Sequence, residues 1–187
     1  MVRTTVLAAS LAIAFTSAQA AEPLSVKVYN ADGNSFNVNS TLVVGAKEAM
    51  VIDAGFTRAD ALRIAANVLD SGKQLTTIYV SQADPDYYFG VETLKDIFPQ
   101  ADVVTTPDVL AKIKAKLAGK LAFWGPKMGT NAPRTPVLPR ALEGNTLALG
   151  GQTIEIRGTQ GPLAHRPYAW IPSIQAVVGN IGVFGGM

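Results

Sequence analysis

The chain has 187 residues, of which 48% are hydrophobic, a formal net charge of +2 and no cysteine. This length and composition predict one domain with a full hydrophobic core. The small net charge gives no support for binding to nucleic acid or to a membrane surface, and the absence of cysteine excludes disulfides and thiolate metal ligands.

The N-terminus has the pattern of a secretory signal peptide. Arg3 supplies a positive charge, residues 6–15 are a short apolar run, and an Ala-Gln-Ala cleavage site ends at Ala20. The apolar run is too short to span a membrane. We therefore expect residues 1–20 to be removed. Residues 21–187 would then form the mature domain of a periplasmic or secreted protein that has no membrane partner.

The first half of the mature chain predicts strands followed by a helix. Alternating and apolar runs predict four strands, over residues 26–29, 36–39, 41–45 and 49–53. A helix is predicted over residues 58–70, because apolar side chains recur there at helical spacing. Thr57 is suited to cap its N-terminus, and Gly72 to end it.

The middle of the chain predicts two helices and then an irregular segment. A short helix is predicted over residues 91–98, and a second one begins at Pro107 and ends near Gly119. Residues 121–139 are rich in proline and glycine, so we expect a long surface excursion there.

The remaining elements complete an α/β pattern. Further strands are predicted over residues 77–80, 102–105, 145–149, 153–157, 169–172 and 176–179. The pair Gly150-Gly151 between two of these strands is a signal for a two-residue hairpin turn. The order of these elements predicts an α/β layered fold with a mixed sheet. It begins with strands and a helix, continues with alternating strands and helices, and ends with strands.

A segment between the fifth predicted strand and the helix that follows it carries a family resemblance. Residues 81–90 read SQADPDYYFG. In outline they resemble the metal-binding signature of the metallo-β-lactamase superfamily, T-H-x-H-x-D-H-x-x-G, of which Asp86 and Gly90 are matched. The turn at Asp53-Ala54-Gly55 and the hairpin of residues 145–157 are similar to family features as well. The resemblance implies an αββα sandwich with mixed sheets.

The family fold continues with further strands and a helix beyond the last strand of this chain. The resemblance therefore implies a domain that is incomplete, or truncated, at its C-terminus. An incomplete sheet has an unpaired edge, so we expect self-association through that edge.

The resemblance places a metal site on residues that differ from the family's ligands. The three histidine positions of the signature hold Gln82, Asp84 and Tyr87, and the position of the family's bridging aspartate holds Asn180. Together with Asp86 these are oxygen donors. Zinc is the metal that the family implies, but oxygen donors suit Mg²⁺ or Mn²⁺ better. A divalent metal and no metal at all both remain open.

Four further residues are expected to support or line this site. Asp53 ends a buried strand, although it could equally cap the turn that follows. Tyr88 belongs either to the site or to the core. Gln160 lies near the position of a further family histidine. His165, the chain's one histidine, falls a few residues later and is either a ligand or a surface residue.

Two functions follow from this sequence. The first is an exported metallo-hydrolase-like protein that cleaves an ester, amide or lactam bond of a small-molecule substrate with a metal-activated water. The second is a catalytically inactive binding protein that uses the same cleft without metal, walled by Tyr87, Tyr88, Phe89 and Trp124. If the same cleft were catalytic without a metal, Asp86 would accept a proton, Tyr87 or Tyr88 would donate one and Gln82 would polarise the substrate. A non-functional remnant is a third possibility.

Overall fold

The structure is a computed structural model that describes residues 22–179. The predicted signal peptide, residues 1–20, lies outside the described residues, and so does Asn180. Both remain predictions. None of the helices within residues 22–179 combines the length and the hydrophobicity of a membrane span.

Ten strands, four α-helices and three short 3-10 helices form the regular structure of the described residues. The strands are β1 (Ser25–Asn30), β2 (Asn39–Val44), β3 (Glu48–Ile52), β4 (Gln74–Tyr79), β5 (Asp102–Thr105), β6 (Arg140–Ala141), β7 (Thr146–Leu149), β8 (Gln152–Arg157), β9 (Tyr168–Ile171) and β10 (Ala176–Val178). The helices are α1 (Arg58–Ser71), α2 (Pro85–Tyr88), α3 (Val91–Ile97) and α4 (Pro107–Met128).

The strands form two sheets. The first has the order β1-β2-β3-β4-β5-β6, antiparallel from β1 to β3 and parallel from β3 to β6. The second is antiparallel, with the order β10-β9-β8-β7. The predicted α/β class with a mixed sheet is thus confirmed. Because the residues after 179 lie outside the described part, self-association through an unpaired edge stays a prediction.

Side chains of the first sheet alternate between two cores, since successive strand residues point to opposite faces. On β3, Ala49 and Val51 belong to a core shared with the helices, whereas Met50 and Ile52 belong to a core shared with the second sheet. All four helices contribute their buried apolar side chains to the first core. In the described residues, the helices cover one face of the first sheet and the second sheet covers the other. These are three of the four layers of an αββα sandwich.

Helix α1 begins and ends where local sequence signals predict. Thr57 Oγ1 accepts a hydrogen bond from the Asp60 backbone N at 3.0 Å, and the Asp60 carboxylate accepts one from the Thr57 backbone N at 3.1 Å. This reciprocal pair is a capping box. At the other end, Gly72 adopts a left-handed φ of 65°, which stops the helix.

Helix α4 is longer than the sequence predicts. The predicted end near Gly119 is wrong, because the helix continues to Met128 and replaces the start of the expected surface excursion. Leu117, Leu121 and Trp124 lie on successive turns and pack against the first core. Their burial favours continuing the helix past Gly119, where glycine costs roughly 1 kcal/mol inside a helix.

The strand predicted over residues 36–39 starts only at Asn39. Phe36 and Asn37 instead adopt left-handed φ angles of 59° and 52°. They follow a short turn in which the Asp32 carboxylate accepts a hydrogen bond from a backbone N two residues later, at 2.9 Å. Such local bonding competes with pairing in a sheet.

Candidate functional site

The candidate site lies at the carboxyl ends of β3 and β4, which are neighbouring parallel strands. Asp53 follows β3, and Ser81 and Gln82 come shortly after β4. Parallel pairing brings these residues to one edge of the sheet, which is where ligands bind in open α/β sheets. Residues 81–90, called the signature loop below, continue from this edge into α2 and α3.

Asp53 fastens the signature loop to the end of β3. Its carboxylate is buried and accepts hydrogen bonds from Ser81, at 2.7 Å from the backbone N and 2.8 Å from Oγ. Asp53 also has a left-handed φ of 67°, which is uncommon outside glycine and is often found at functional sites. The sequence pointed to Asp53 but missed Ser81, although Ser81 directly follows the strand end.

The buried position of Asp53 changes its acidity. Burial raises the pKa of this carboxyl to about 7, and the negative charge of Asp86 raises it further, while the hydrogen bonds from Ser81 act in the opposite direction. A pKa in this range makes the protonated, neutral form of Asp53 a substantial fraction near neutral pH.

Asp53→Asn is expected to make stability less dependent on pH. In the wild type the carboxyl has an ordinary pKa of 3.8 when unfolded and about 7 when folded. Between these values the native state holds a proton that the unfolded chain has lost, so stability falls as pH rises from about 4 to about 7. The total loss is up to roughly 4 kcal/mol. Urea unfolding at pH 5 and pH 8 captures roughly 3 kcal/mol of this loss, and equal losses in wild type and variant would contradict the prediction.

A lysine from α4 pairs with one acidic residue of the signature loop and acts electrostatically on the other. Asp84 Oδ1 accepts a hydrogen bond from Lys120 Nζ at 3.4 Å. Burial raises the pKa of Asp86 to about 6, with the negative charge of Asp84 adding to the rise and the positive charge of Lys120 opposing it. Sequence reasoning missed this ion pair, because it ended the helix before Lys120.

Most of the aromatic side chains expected to wall a cleft are buried in the core. Tyr87, Tyr88 and Phe89 are 6%, 1% and 3% exposed and pack in the first core, which corrects the prediction. Trp124 is partly buried, and its ring centroid lies 5.3 Å from that of Phe56. Large aromatic rings gain most by leaving water, so the folded chain packs them rather than exposing them.

The two tyrosines of the signature loop remain phenols near neutral pH. Burial raises the pKa of Tyr87 and of Tyr88, and the nearby carboxylates raise both further. A phenolate that could bind a metal is therefore disfavoured at both positions.

The loop between β8 and β9 contributes positive charge near the site. Gln160 is exposed and His165 is half-buried. Partial burial and the positive charges of Lys112 and Arg166 lower the pKa of His165, while the negative charge of Asp108 opposes them. Arg166 also acts electrostatically on Tyr87. The positive charge of this arginine therefore acts on the signature loop, and the sequence analysis did not single it out.

The end of β10 packs against the signature loop. A Cβ atom at Gly179 would lie 3.2 Å from Ser81 Cβ and 3.2 Å from Ile52 Cγ2. This contact brings the chain to the site immediately before Asn180, which was predicted as a metal ligand and lies outside the described residues.

The described residues do not fit a zinc centre. Zinc is held by imidazole, thiolate or carboxylate ligands, at least three of them from the protein. No group of three histidine, cysteine or acidic side chains converges anywhere in residues 22–179. At the signature positions Gln82 is a buried amide, Tyr87 is a buried phenol and Asp84 is paired with Lys120.

Comparison with known proteins identifies the family. The sequence profile described as the metallo-beta-lactamase superfamily matches residues 33–172. The chain belongs to the metallo-β-lactamase superfamily, and the resemblance found in its sequence is confirmed. No curated protein sequence matches it significantly.

Solved metallo-β-lactamases share the fold. One from Pontibacter korlensis is 16% identical with a TM-score of 0.57, covering 86% of this chain and 68% of that one. The B3 metallo-β-lactamase BLEG-1 is 16% identical with a TM-score of 0.60, covering 87% and 79%. One from Cronobacter sakazakii, described by a HARLDQ motif, is 25% identical with a TM-score of 0.51, covering 70% and 52%. At these identities the likeness establishes the fold.

Proposed function

We propose that this chain is a catalytically inactive member of the superfamily, which binds a small molecule beside the signature loop without zinc. One observation carries the proposal: the side chains at the family's histidine positions are already used by the fold. Gln82 and Tyr87 are buried, and Asp84 is paired with Lys120. A catalytic zinc needs three protein ligands and an open position for water.

The surface beside the signature loop supports binding of a polar small molecule. Asp84 and Asp86 are partly exposed there, and Lys120 and the nearby Arg166 add positive charge. A few fixed polar groups at the carboxyl edge of a sheet are typical of ligand sites. With a signal peptide over residues 1–20, such a binding protein would act in the periplasm or outside the cell.

A metal-dependent hydrolase of ester, amide or lactam bonds is the second candidate. The Cronobacter sakazakii protein is described as a metallo-β-lactamase with a HARLDQ motif. Its motif has arginine and glutamine where the signature given above has histidine, so altered signatures occur in proteins so described. In this chain, Asp86 and Asn180 would have to hold Mg²⁺ or Mn²⁺ through oxygen donors.

Metal content and turnover distinguish the two candidates. We expect the mature protein, purified after export from the full-length chain, to contain well under one equivalent of any divalent metal by elemental analysis. We also expect no hydrolysis of β-lactam, thioester or lactone substrates above buffer when Zn²⁺ or Mn²⁺ is added. The reason is that no three histidine, cysteine or acidic side chains converge within residues 22–179, whereas a catalytic zinc needs three protein ligands. The intact mass of the same sample tests cleavage after Ala20.

Asp86→Ala is the control for this experiment. Stoichiometric metal in the wild type, lost in Asp86→Ala together with turnover, would reject the inactive binding protein and establish the hydrolase. Low metal and unchanged folding in both proteins would support the proposal.

A further inference from the structure

The Lys120 ammonium lies beside the acidic residues of the signature loop. Lys120 Nζ lies 3.4 Å from Asp84 Oδ1, and the two residues are 36 positions apart in the chain. The lysine belongs to α4 and the aspartate precedes α2. The ion pair is therefore a tertiary contact between two different elements.

Lys120 is positioned at the loop because α4 continues past Gly119. Lys112, Lys116 and Lys120 are spaced by four residues and so lie on one side of the helix. With a rise of about 1.5 Å per residue, successive members are about 6 Å apart along the axis. Lys120 pairs with Asp84, and Lys116 lies one turn earlier on the same side.

The charge of Lys120 reaches both acids of the loop. It is hydrogen-bonded to Asp84, and its positive charge opposes the rise in the pKa of Asp86. Both members of the ion pair are partly exposed, with 32% of the Lys120 side chain and 41% of the Asp84 side chain accessible. An ion pair this exposed adds little to stability, so its main effect is to neutralise the loop.

We propose that Lys120 is a built-in counter-cation that takes the place of the family's metal ion at the signature loop. This inference rests on the proposed metal-independent function, and it says which group of the chain supplies the charge. An ammonium balances the carboxylates through Coulomb attraction and N–H donors. It has no coordination position at which a water could be activated.

Lys120→Glu tests the inference by exchanging the cation for a third carboxylate beside Asp84. Carboxylate oxygens are suitable ligands for Mn²⁺, and the affinity of a site for the metal grows with its number of carboxylates. Lys116→Glu is the matched control, since it makes the same charge change one helical turn away. We expect Lys120→Glu to bind Mn²⁺ at least about tenfold more tightly than Lys116→Glu. We also expect Mn²⁺ to raise the melting temperature of Lys120→Glu and to leave that of Lys116→Glu unchanged.

Calorimetric titration of the mature protein with Mn²⁺, together with thermal unfolding with and without Mn²⁺, gives the result. An equal Mn²⁺ response in Lys120→Glu and Lys116→Glu would overturn the inference. If Lys120→Glu does not fold, Lys120→Gln decides in its place, because it removes the cation without adding charge. It must then bind Mn²⁺ more tightly than the wild type.

The two proposals fail in different ways. Stoichiometric zinc in the wild-type protein would contradict the proposed function and, with it, the replacement of a metal by Lys120. A metal-free wild type whose Lys120 variants gain no affinity for Mn²⁺ would overturn the inference on Lys120 alone.

Discussion

Gly90→Ala is expected to destabilise the domain by at least about 3 kcal/mol. A Cβ atom at this position would lie 2.0 Å from the carbonyl oxygen of Ala54 and 3.0 Å from Ala61 Cβ in α1. The backbone of Gly90 has an ordinary helical φ of −70°, so space and not conformation requires glycine here. The Gly90 backbone N also donates to the Gly55 carbonyl at 3.0 Å, a bond that the clash would break.

Urea unfolding followed by circular dichroism measures this effect, with Gly119→Ala as the control. Gly119 lies within α4 and has no atom within 4 Å of its would-be Cβ. Alanine there should leave stability unchanged or raise it by up to about 1 kcal/mol. A Gly90→Ala protein as stable as Gly119→Ala would refute the close approach of the signature loop to the turn after β3.

Asp60→Ala is expected to cost about 3 to 5 kcal/mol of unfolding free energy. Asp60 is buried, and its Oδ1 accepts a hydrogen bond from Tyr29 Oη at 2.7 Å. Its Oδ2 accepts bonds from Ser35 Oγ and Thr57 Oγ1, each at 2.6 Å. Alanine would leave three hydroxyl groups without their acceptor and would remove the capping box of α1.

Asp70→Ala on the same helix is the control for Asp60→Ala. Asp70 is exposed near the C-terminal end of α1, so its loss should change stability by less than about 0.5 kcal/mol. Urea unfolding of both variants gives the comparison. Similar losses for Asp60→Ala and Asp70→Ala would show that the buried hydrogen bonds contribute nothing.

Asp60 and Asp53 are expected to give opposite responses to pH. Burial alone would raise the pKa of Asp60, but hydrogen bonds from Ser35, Thr57 and Tyr29 outweigh it and the pKa is lowered. Its stabilisation is present above the ordinary pKa and is lost as pH falls through the folded value. The raised pKa of Asp53 acts the other way, with stability lost as pH rises towards about 7. The Asp60 carboxylate accepts four hydrogen bonds, whereas the Asp53 carboxylate accepts two, both from Ser81.

Membership in the superfamily does not by itself imply that this chain has the zinc chemistry of the family. The fold places a loop at the carboxyl edge of a sheet, and the side chains on that loop determine what it can bind. In this chain those positions hold an amide, a carboxylate paired with lysine and a buried phenol. The chain therefore shares the family's fold while its loop carries a different set of side chains.

Local signals in the sequence determined the fold class and most element boundaries. Thr57 and Gly72 bound α1 because capping depends on a few neighbouring residues. Gly150 and Gly151 form the hairpin between β7 and β8 with φ angles of 57° and 78°, which glycine adopts without strain. The signature pattern likewise located the loop at the carboxyl edge of the sheet.

Only the tertiary structure decided how the site is assembled. The length of α4 depends on the burial of Leu121 and Trp124 against the first core, which no local pattern around Gly119 reveals. The ion pair of Lys120 with Asp84 follows from that length. The burial of Asp53 and its bonds to Ser81 join two strands that are distant in the chain. Sequence spacing reports contacts within an element, whereas these contacts exist only after separate elements have packed together.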